Sequence, residues 1–256
     1  MDQVRFIFWE AIKGLSLAFL GLLAAKAASG LTASHAGIAK NLKILKGVLY
    51  FGIAALVILG ARAVGYEVAA ETYFWAAQDS LASLHVPQAY TNAVQAVRLR
   101  PGTLRFWRTL EAAKAHMGQF ESVLDDEPTL ETTFGGSLNE EDIYRFAACY
   151  FFLAQYDKSI GITQRLVQQF REYAAPYVLQ GMAWAAQRNY VEAERSYQGV
   201  IRMYPNHQAA VEGLARVYFL AGKRGQALAL LDETAKQPYA PEARERFEAL
   251  KALYAQ

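Results

Sequence analysis

Cysteine is almost absent from this chain of 256 residues, and so are the patterns that carry catalysis. Cys149 is the only cysteine, so no disulfide can form within the chain, and we expect it to be a small core residue of a helix. The histidines have no carboxylate or cysteine at metal-ligand spacing; they are His35, His85, His116 and His207. No glycine-rich phosphate loop and no G-x-S-x-G motif occurs. The sequence therefore predicts no enzymatic activity, no metal and no cofactor.

Acidic residues are missing from a long stretch near the start, between Glu10 and Glu67. Residues 1–66 hold seven Lys or Arg and two acids, so this head carries a net charge of +5. The net charge of the whole chain is +2, so the remaining residues carry −3. A nucleic-acid reader would carry a basic stripe on its folded body, and none is visible. A basic, apolar head on a mildly acidic body indicates a membrane anchor followed by a soluble domain.

The strongest apolar run is 47–61, which contains no charge. Fifteen helical residues span about 22 Å, short of a hydrocarbon layer of about 30 Å. The run reaches spanning length if Lys46 and Arg62 extend their charged ends to the interfaces. We therefore predict a transmembrane helix at 47–66 after a basic linker at 29–46. The alternative is a buried helix of a soluble core.

The first segment, 1–28, is ambiguous because Arg5, Glu10 and Lys13 interrupt its apolar run at 4–25. Three interpretations stay open. The segment could lie in the membrane interface as an amphipathic helix, cross the membrane as a second span, or be a signal peptide that is cleaved.

The lysines favour one orientation of the anchor. Four lie on the amino side of the strong span, at Lys26, Lys40, Lys43 and Lys46. Only Arg62 follows the span closely, and the next Lys or Arg is Arg98. Positive residues concentrate on the cytoplasmic side of membrane proteins. The expectation is an anchor in the inner membrane of a bacterium, as a single pass or a hairpin, with the following domain in the periplasm. The lysines could also attract anionic lipids.

The region from 140 to 241 repeats itself at intervals of 34 residues. Three sets of residues recur at this interval. The small residues are Ala147, Gly181 and Ala215, and the large aromatics are Tyr150, Trp184 and Tyr218. The third set is apolar and consists of Ile143, Tyr177 and Val211. Gly181 shares a helix face with Tyr177 and Trp184, so a second helix can cross closely there. Ala193 would be the reciprocal small residue, and Pro205 would end the second helix.

The central unit carries an aromatic, small residue, aromatic, aromatic, Ala, aromatic and Pro at fixed offsets: Tyr177, Gly181, Trp184, Tyr190, Ala193, Tyr197 and Pro205. This pattern resembles the tetratricopeptide repeat. The resemblance implies an all-α solenoid of helical hairpins, here preceded by one or two membrane-associated helices. The expected repeat region is 67–241, with units near 70–103, 104–139, 140–173, 174–207 and 208–241 and a capping helix at 242–256.

The second unit is the irregular one. The cluster of Asp125, Asp126, Glu127 and Pro128 predicts that its second helix breaks, and the period slips by two residues before a capping box at Ser137 and Glu140. The acidic segment 125–142 could bind a cation or a basic partner, or be a solvated insertion. Its spacing matches no calcium loop.

By resemblance, the first helix of each unit lines a concave groove. The groove positions are Arg105, Arg108, Tyr144, Phe151, Val178, Met182, Glu212, Arg216 and Phe219. This set predicts a protein ligand, an apolar peptide or helix, because the Lys and Asn of family members that clamp a carboxylate are missing. The alternative is a groove filled by the chain's own acidic loop or head.

The functional expectation is a membrane-anchored scaffold without catalysis, acting in a bacterial envelope assembly, secretion or export complex. The alternatives are an accessory subunit of a membrane enzyme, docking through the head, and a periplasmic binding module released by signal cleavage.

Overall fold

A computed structural model describes residues 35–235 and 239–255, and all regular structure in these ranges is helical. The segment 1–28, with its three interpretations, lies outside them. The eleven helices are α1 His35–Ala82, α2 Val86–Leu99, α3 Leu104–His116, α4 Phe120–Phe134, α5 Glu140–Phe152, α6 Tyr156–Gln169, α7 Ala174–Ala186, α8 Tyr190–Met203, α9 Gln208–Leu220, α10 Arg224–Ala235 and α11 Pro241–Ala255. The predicted all-α class is confirmed.

The helices pair in chain order into antiparallel hairpins, α1 with α2 up to α9 with α10, and α11 packs on the last pair. Consecutive hairpins stack, so the whole is a helical-hairpin solenoid as predicted. The first helices α3, α5, α7 and α9 begin at 104, 140, 174 and 208, which reproduces the period of 34 with one interval of 36.

Each first helix ends in the same type of turn, in which one residue has a left-handed backbone. These residues are Leu84, Gly118, Ala154, Arg188 and Gly222. The next amide then donates to a carbonyl five residues back, as from Asn189 to Trp184 at 2.9 Å. This bond satisfies a helix-end carbonyl. The repeated turn sets the sharp reversal of every hairpin.

Helix α1 departs from the predicted boundaries because it runs unbroken for 48 residues. Residues 35–46, expected to be a linker, are helical, and nothing in their sequence breaks a helix. The side chains of 47–68 are mostly exposed, whereas Ala70, Phe74 and Ala77 are buried against α2 and α3. The apolar segment and the first helix of the first hairpin are thus one continuous helix.

The predicted break in the second unit is wrong. Helix α4 continues through Pro128 to Phe134, and only a 3-10 turn at Gly135–Ser137 follows. Val123 and Leu130 are buried on either side of the proline and hold the helix in place. The acidic segment is therefore mostly helix rather than an insertion loop.

The capping box also lies two residues later than predicted. The side chain of Asn139 accepts a hydrogen bond from the amide of Asp142 at 3.1 Å, and the carboxylate of Asp142 accepts one from the amide of Asn139 at 3.1 Å. This pair starts α5.

The residues predicted to pack the repeats lie at helix crossings or beside them. Ala147, Ala193 and Ala215 are fully buried, and the side chain of Tyr197 is only 3% exposed. The other members are half-buried at Tyr150, Trp184 and Tyr218, while Pro205 is exposed in the turn after α8.

The ring of Tyr197 is held between two glycines of different helices. A methyl group at Gly181 of α7 would lie 2.8 Å from the ring, and one at Gly213 of α9 would lie 2.4 Å from it. Carbon atoms cannot approach that closely, so both positions need glycine unless the ring moves. The ring cannot move away from one glycine without approaching the other. Gly213 was not predicted as a packing residue.

Replacing Gly213 by Ala should therefore destabilise the protein by about 1–3 kcal/mol, because the added methyl group overpacks the Tyr197 contact. Gly199→Ala is the matched control, since its methyl group would meet Tyr177 at an ordinary 3.7 Å. This control should be neutral or stabilising by up to about 1 kcal/mol, because Ala favours helix. Urea unfolding followed by circular dichroism measures both. Equal stability of the two variants would show that the Tyr197 ring is free to shift.

Candidate functional site

The first helices line the inner side of the solenoid. Direct contacts join α1 to α3, α5 to α7, α7 to α9 and α9 to α11, while neighbouring second helices make no comparable contact within the described ranges. A stack whose members touch along one side only must curve toward that side. The predicted groove residues lie on these first helices.

The arginines at the amino-terminal end of the groove are held by internal partners. Arg108 donates through Nε and Nη2 to both carboxylate oxygens of Asp142, at 2.6 to 3.1 Å. These bonds raise the pKa of the Arg108 guanidinium. Arg105 is likewise paired with Glu71 of α1. Both arginines thus tie neighbouring units together, and their role as ligand contacts stays a prediction.

The acidic partners were missed, although a signal for them exists in the sequence. Glu71 and Arg105 are 34 residues apart, and so are Arg108 and Asp142. Arg105 and Glu71 are one 34-residue repeat apart, whereas Asp142 lies two positions before the equivalent of Arg108, because the second unit is 36 residues long. Opposite charges near one repeat length apart on first helices therefore indicate an inter-unit pair.

The middle of the groove is aromatic. Tyr144 and Tyr173 meet edge to face with ring centres 5.8 Å apart, and burial raises the pKa of Tyr144. Phe151 contacts Phe152 and Tyr156 with centroids at 5.6 Å in both cases. These contacts between aromatic rings stabilise the positions of the side chains, so this part of the groove is rigid.

The carboxyl-terminal end of the groove is partly covered. Phe219 stacks on Tyr254 of α11 with ring centres 4.3 Å apart and planes 12° apart. The cover is thus the terminal helix, and neither the acidic segment nor any described part of the head. A long-range packing partner thus covers one ring face of Phe219, which remains 38% exposed, and its role in partner binding stays a prediction.

An uncovered surface remains between these two ends. Val178 and Met182 are successive groove positions of α7. Tyr144 occupies the position equivalent to Val178 in the preceding unit, and Arg216 the position equivalent to Met182 in the next, each 34 residues away. Met182 is 40% exposed, and Arg216 is exposed with no ion pair to any described residue. We call Tyr144, Tyr173, Val178, Met182 and Arg216 the central groove surface.

A second cluster lies in the interior between α3 and α4. Lys114 is paired with Asp126, and its Nζ also donates to the carbonyl of Ser122 at 3.0 Å. Glu111 is 1% exposed and lies 3.3 Å from the same Nζ, yet neither of its oxygens accepts a hydrogen bond from a described residue. Burial raises the pKa of Glu111 to about 8, and the nearby carboxylate of Asp126 adds to the shift.

Cys149, the single cysteine, is buried in α5. Burial raises the pKa of the Cys149 thiol to about 12, so it is not a nucleophile near neutral pH. Within 35–235 and 239–255, no group of three His, Cys, Asp or Glu could hold a metal ion.

The buried carboxyl of Glu111 predicts a pH dependence of stability. Its folded pKa of about 8 lies above its usual 4.5, so the folded state binds more protons than the unfolded state between these values. Stability contributed by this group is thus full below about pH 4.5 and falls as pH rises toward 8. Glu111→Gln, which is neutral at every pH, should remove this fall and give the higher melting temperature at pH 8.

Thermal unfolding of both proteins at pH 5 and pH 8 tests this, with Glu141→Gln as control because Glu141 is exposed. A melting temperature that depends on pH equally in wild type and Glu111→Gln would contradict the assignment.

Comparison with known proteins fits this geometry. The family model described as Tetratricopeptide repeat matches residues 185–256. No curated protein sequence matches the chain.

Three solved structures illustrate the likeness of fold. MamA residues 41 to the end from Desulfovibrio magneticus RS-1 is 15% identical with a TM-score of 0.59, over 70% of this chain and 96% of that one. A thermophilic TPR protein of Thermus thermophilus, TTC0263, is 16% identical with a TM-score of 0.56, over 71% and 98%. YrrB, described as a TPR protein with an unusual peptide-binding site, is 16% identical with a TM-score of 0.51, over 69% and 90%. At these identities the likeness concerns the fold.

Proposed function

Because the chain is a tetratricopeptide-repeat protein, a fold that serves protein interaction, we propose that it is a membrane-anchored scaffold. It binds an apolar peptide or helix of a partner protein at the central groove surface. The observation that carries this proposal is the exposed Met182 on a first helix, at a groove position that the Tyr144–Tyr173 pair precedes in the chain and Arg216 follows.

The chemistry of the central groove surface favours an apolar segment. Aromatic, Met and Arg side chains are enriched at the energetically dominant positions of protein interfaces. Met also adapts its shape to different apolar partners. The two other groove arginines are already neutralised by Asp142 and Glu71, so an acidic ligand would find only Arg216. The peptide-binding site for which YrrB is described is a precedent on a similar fold.

The exposed apolar part of α1 supports the anchor. Gly47–Ala82 is long and apolar enough to cross a membrane, and its most apolar stretch is not buried by the rest of the chain. Val48, Leu49, Phe51, Val57 and Ile58 are among its exposed side chains. The proposed span is 47–66, and the lysine bias favours a solenoid on the periplasmic side of a bacterial inner membrane. The proposed role is in an envelope assembly, secretion or export complex.

Removing two side chains of the central groove surface should weaken partner binding. We expect Tyr144→Ala with Met182→Ala to reduce capture of the partner at least about tenfold, since truncation of such contacts costs about 2 kcal/mol or more in total. Val191→Ala is the control, because Val191 is 67% exposed on the second helix α8, away from the groove. Quantitative mass spectrometry of pull-downs from solubilised membranes, with full-length protein, gives the ratio.

The same experiment separates the alternative function. If the groove variant keeps all partners and deletion of residues 1–66 loses them, the chain is an accessory subunit that docks through its head. Circular dichroism of each variant controls for folding.

The anchor makes a separate prediction. Full-length protein should sediment with membranes and resist extraction at high pH, whereas a chain starting at residue 67 should be soluble. A reporter that is active only in the periplasm, fused after Gln256, should be active, and changing Lys40, Lys43 and Lys46 to Glu should reduce its signal. Activity of a cytoplasm-only reporter at the same position would refute the orientation.

A further inference from the structure

A cavity of about 470 Å³ lies between α1 and α2 where the apolar segment of α1 ends. Helix α2 runs antiparallel to α1, so its last turn returns to the level at which the span emerges. The cavity is lined by Arg62, Gly65, Tyr66, Ala69, Tyr73, Gln95 and Leu99. It is wide open to solvent, so it is a surface depression rather than an enclosed pocket.

The position of this cavity along α1 matches a membrane surface. From Lys46 to Arg62 the helix rises about 24 Å, and to Tyr66 about 30 Å, the thickness of a hydrocarbon layer. If Lys46 marks one interface, Arg62 and Tyr66 lie at the other. Tyr66 and Tyr73 are both exposed, and tyrosines are enriched at this depth.

The charged residues around the cavity favour the binding of an anion. The nearby carboxylates are neutralised, because Glu67 is paired with Arg100 at 2.5 Å and Glu71 is paired with Arg105. Arg62 makes no ion pair with any described residue, and it is the only charged side chain in the lining. The cavity therefore presents one unopposed cation.

The floor of the cavity is open. A methyl group at Gly65 would meet nothing within 4 Å, so the space over Gly65, which lines the cavity, is open; we call this space the recess. Gln95 supplies an amide that donates hydrogen bonds, and the tyrosines supply hydroxyl groups. This combination of one cation, neutral donors and apolar walls suits a phosphodiester that carries an alkyl chain.

We propose that this cavity binds the head group of one anionic phospholipid, of the phosphatidylglycerol type, with its phosphate against Arg62. The site rests on the proposed membrane anchor. Because α1 continues without a break from the span into the first hairpin, a lipid held here contacts the bilayer and the solenoid together.

Bilayer discs with full-length protein and a trace of photoreactive phosphatidylglycerol test the site. The yield of lipid crosslinked to the peptide that contains Tyr66 and Tyr73 should exceed that with photoreactive phosphatidylcholine about fivefold, the effect of one favourable arginine contact. Arg62→Gln should lower the phosphatidylglycerol yield by the same factor. Gly65→Leu, which fills the recess and keeps the charge, should also lower it.

Arg171→Gln is the matched control, because Arg171 is exposed in the turn between α6 and α7 and should leave the yield unchanged. Equal crosslinking of the two lipids, or an unchanged yield in both Arg62→Gln and Gly65→Leu, overturns the site while the anchor stands. A Gly65→Leu effect that coincides with loss of a dimer in the discs also overturns it, since a second copy then fills the recess. Failure of wild-type protein to enter discs refutes the anchor itself.

Discussion

The solenoid depends on close contact between helices, and the ring of Tyr197 shows how little room there is. The ring belongs to α8 but lies against the backbone of α7 on one side and of α9 on the other, at Gly181 and Gly213. One side chain thereby fixes the crossing inside one unit and the distance to the next. The buried alanines Ala147, Ala193 and Ala215 allow similar approaches elsewhere, so small residues set the spacing of the array.

Charged side chains complement this packing at the amino-terminal end of the array. The pairs Glu67 with Arg100, Glu71 with Arg105, and Arg108 with Asp142 each join residues 33 or 34 positions apart. The first pair joins α1 to the end of α2 within the first hairpin, and the other two connect α1 to α3 and α3 to α5, across the unit in which the period slips. Arg105 and Arg108, which the sequence placed in the groove, therefore contribute to the fold.

The fold was predictable because the repeat imposes the same local pattern several times. Gly181 and its aromatic neighbours could be placed from spacing alone, since all lie within one unit. Gly213 was not, because its constraint comes from a side chain of the preceding unit. The stack of Phe219 on Tyr254 joins positions that no period relates, so it had to be seen in three dimensions.

In the second unit the local sequence led to a wrong prediction, because Pro128 and the acidic residues before it do not break the helix. An interior proline costs a helix about 3 kcal/mol when packing does not oppose it. In α4 the burial of Val123 and Leu130 and the pairing of Asp126 with Lys114 outweigh this cost. The predicted period slip of two residues survives as the 36-residue interval, although its cause is the turn at Gly135–Ser137 rather than an unfolded segment.

We expect helix α4 to separate the array into two parts during local unfolding. In a linear array each unit is stabilised only by its neighbours, so a weak unit interrupts the spread of cooperativity. Only Val123 and Leu130 of α4 are buried, and beside it lies a carboxyl group that accepts no hydrogen bond from the described part of the chain. We therefore expect the hairpins before and after α4 to behave as two separate foldons, and the amides of α4 to open to hydrogen exchange before those of either one.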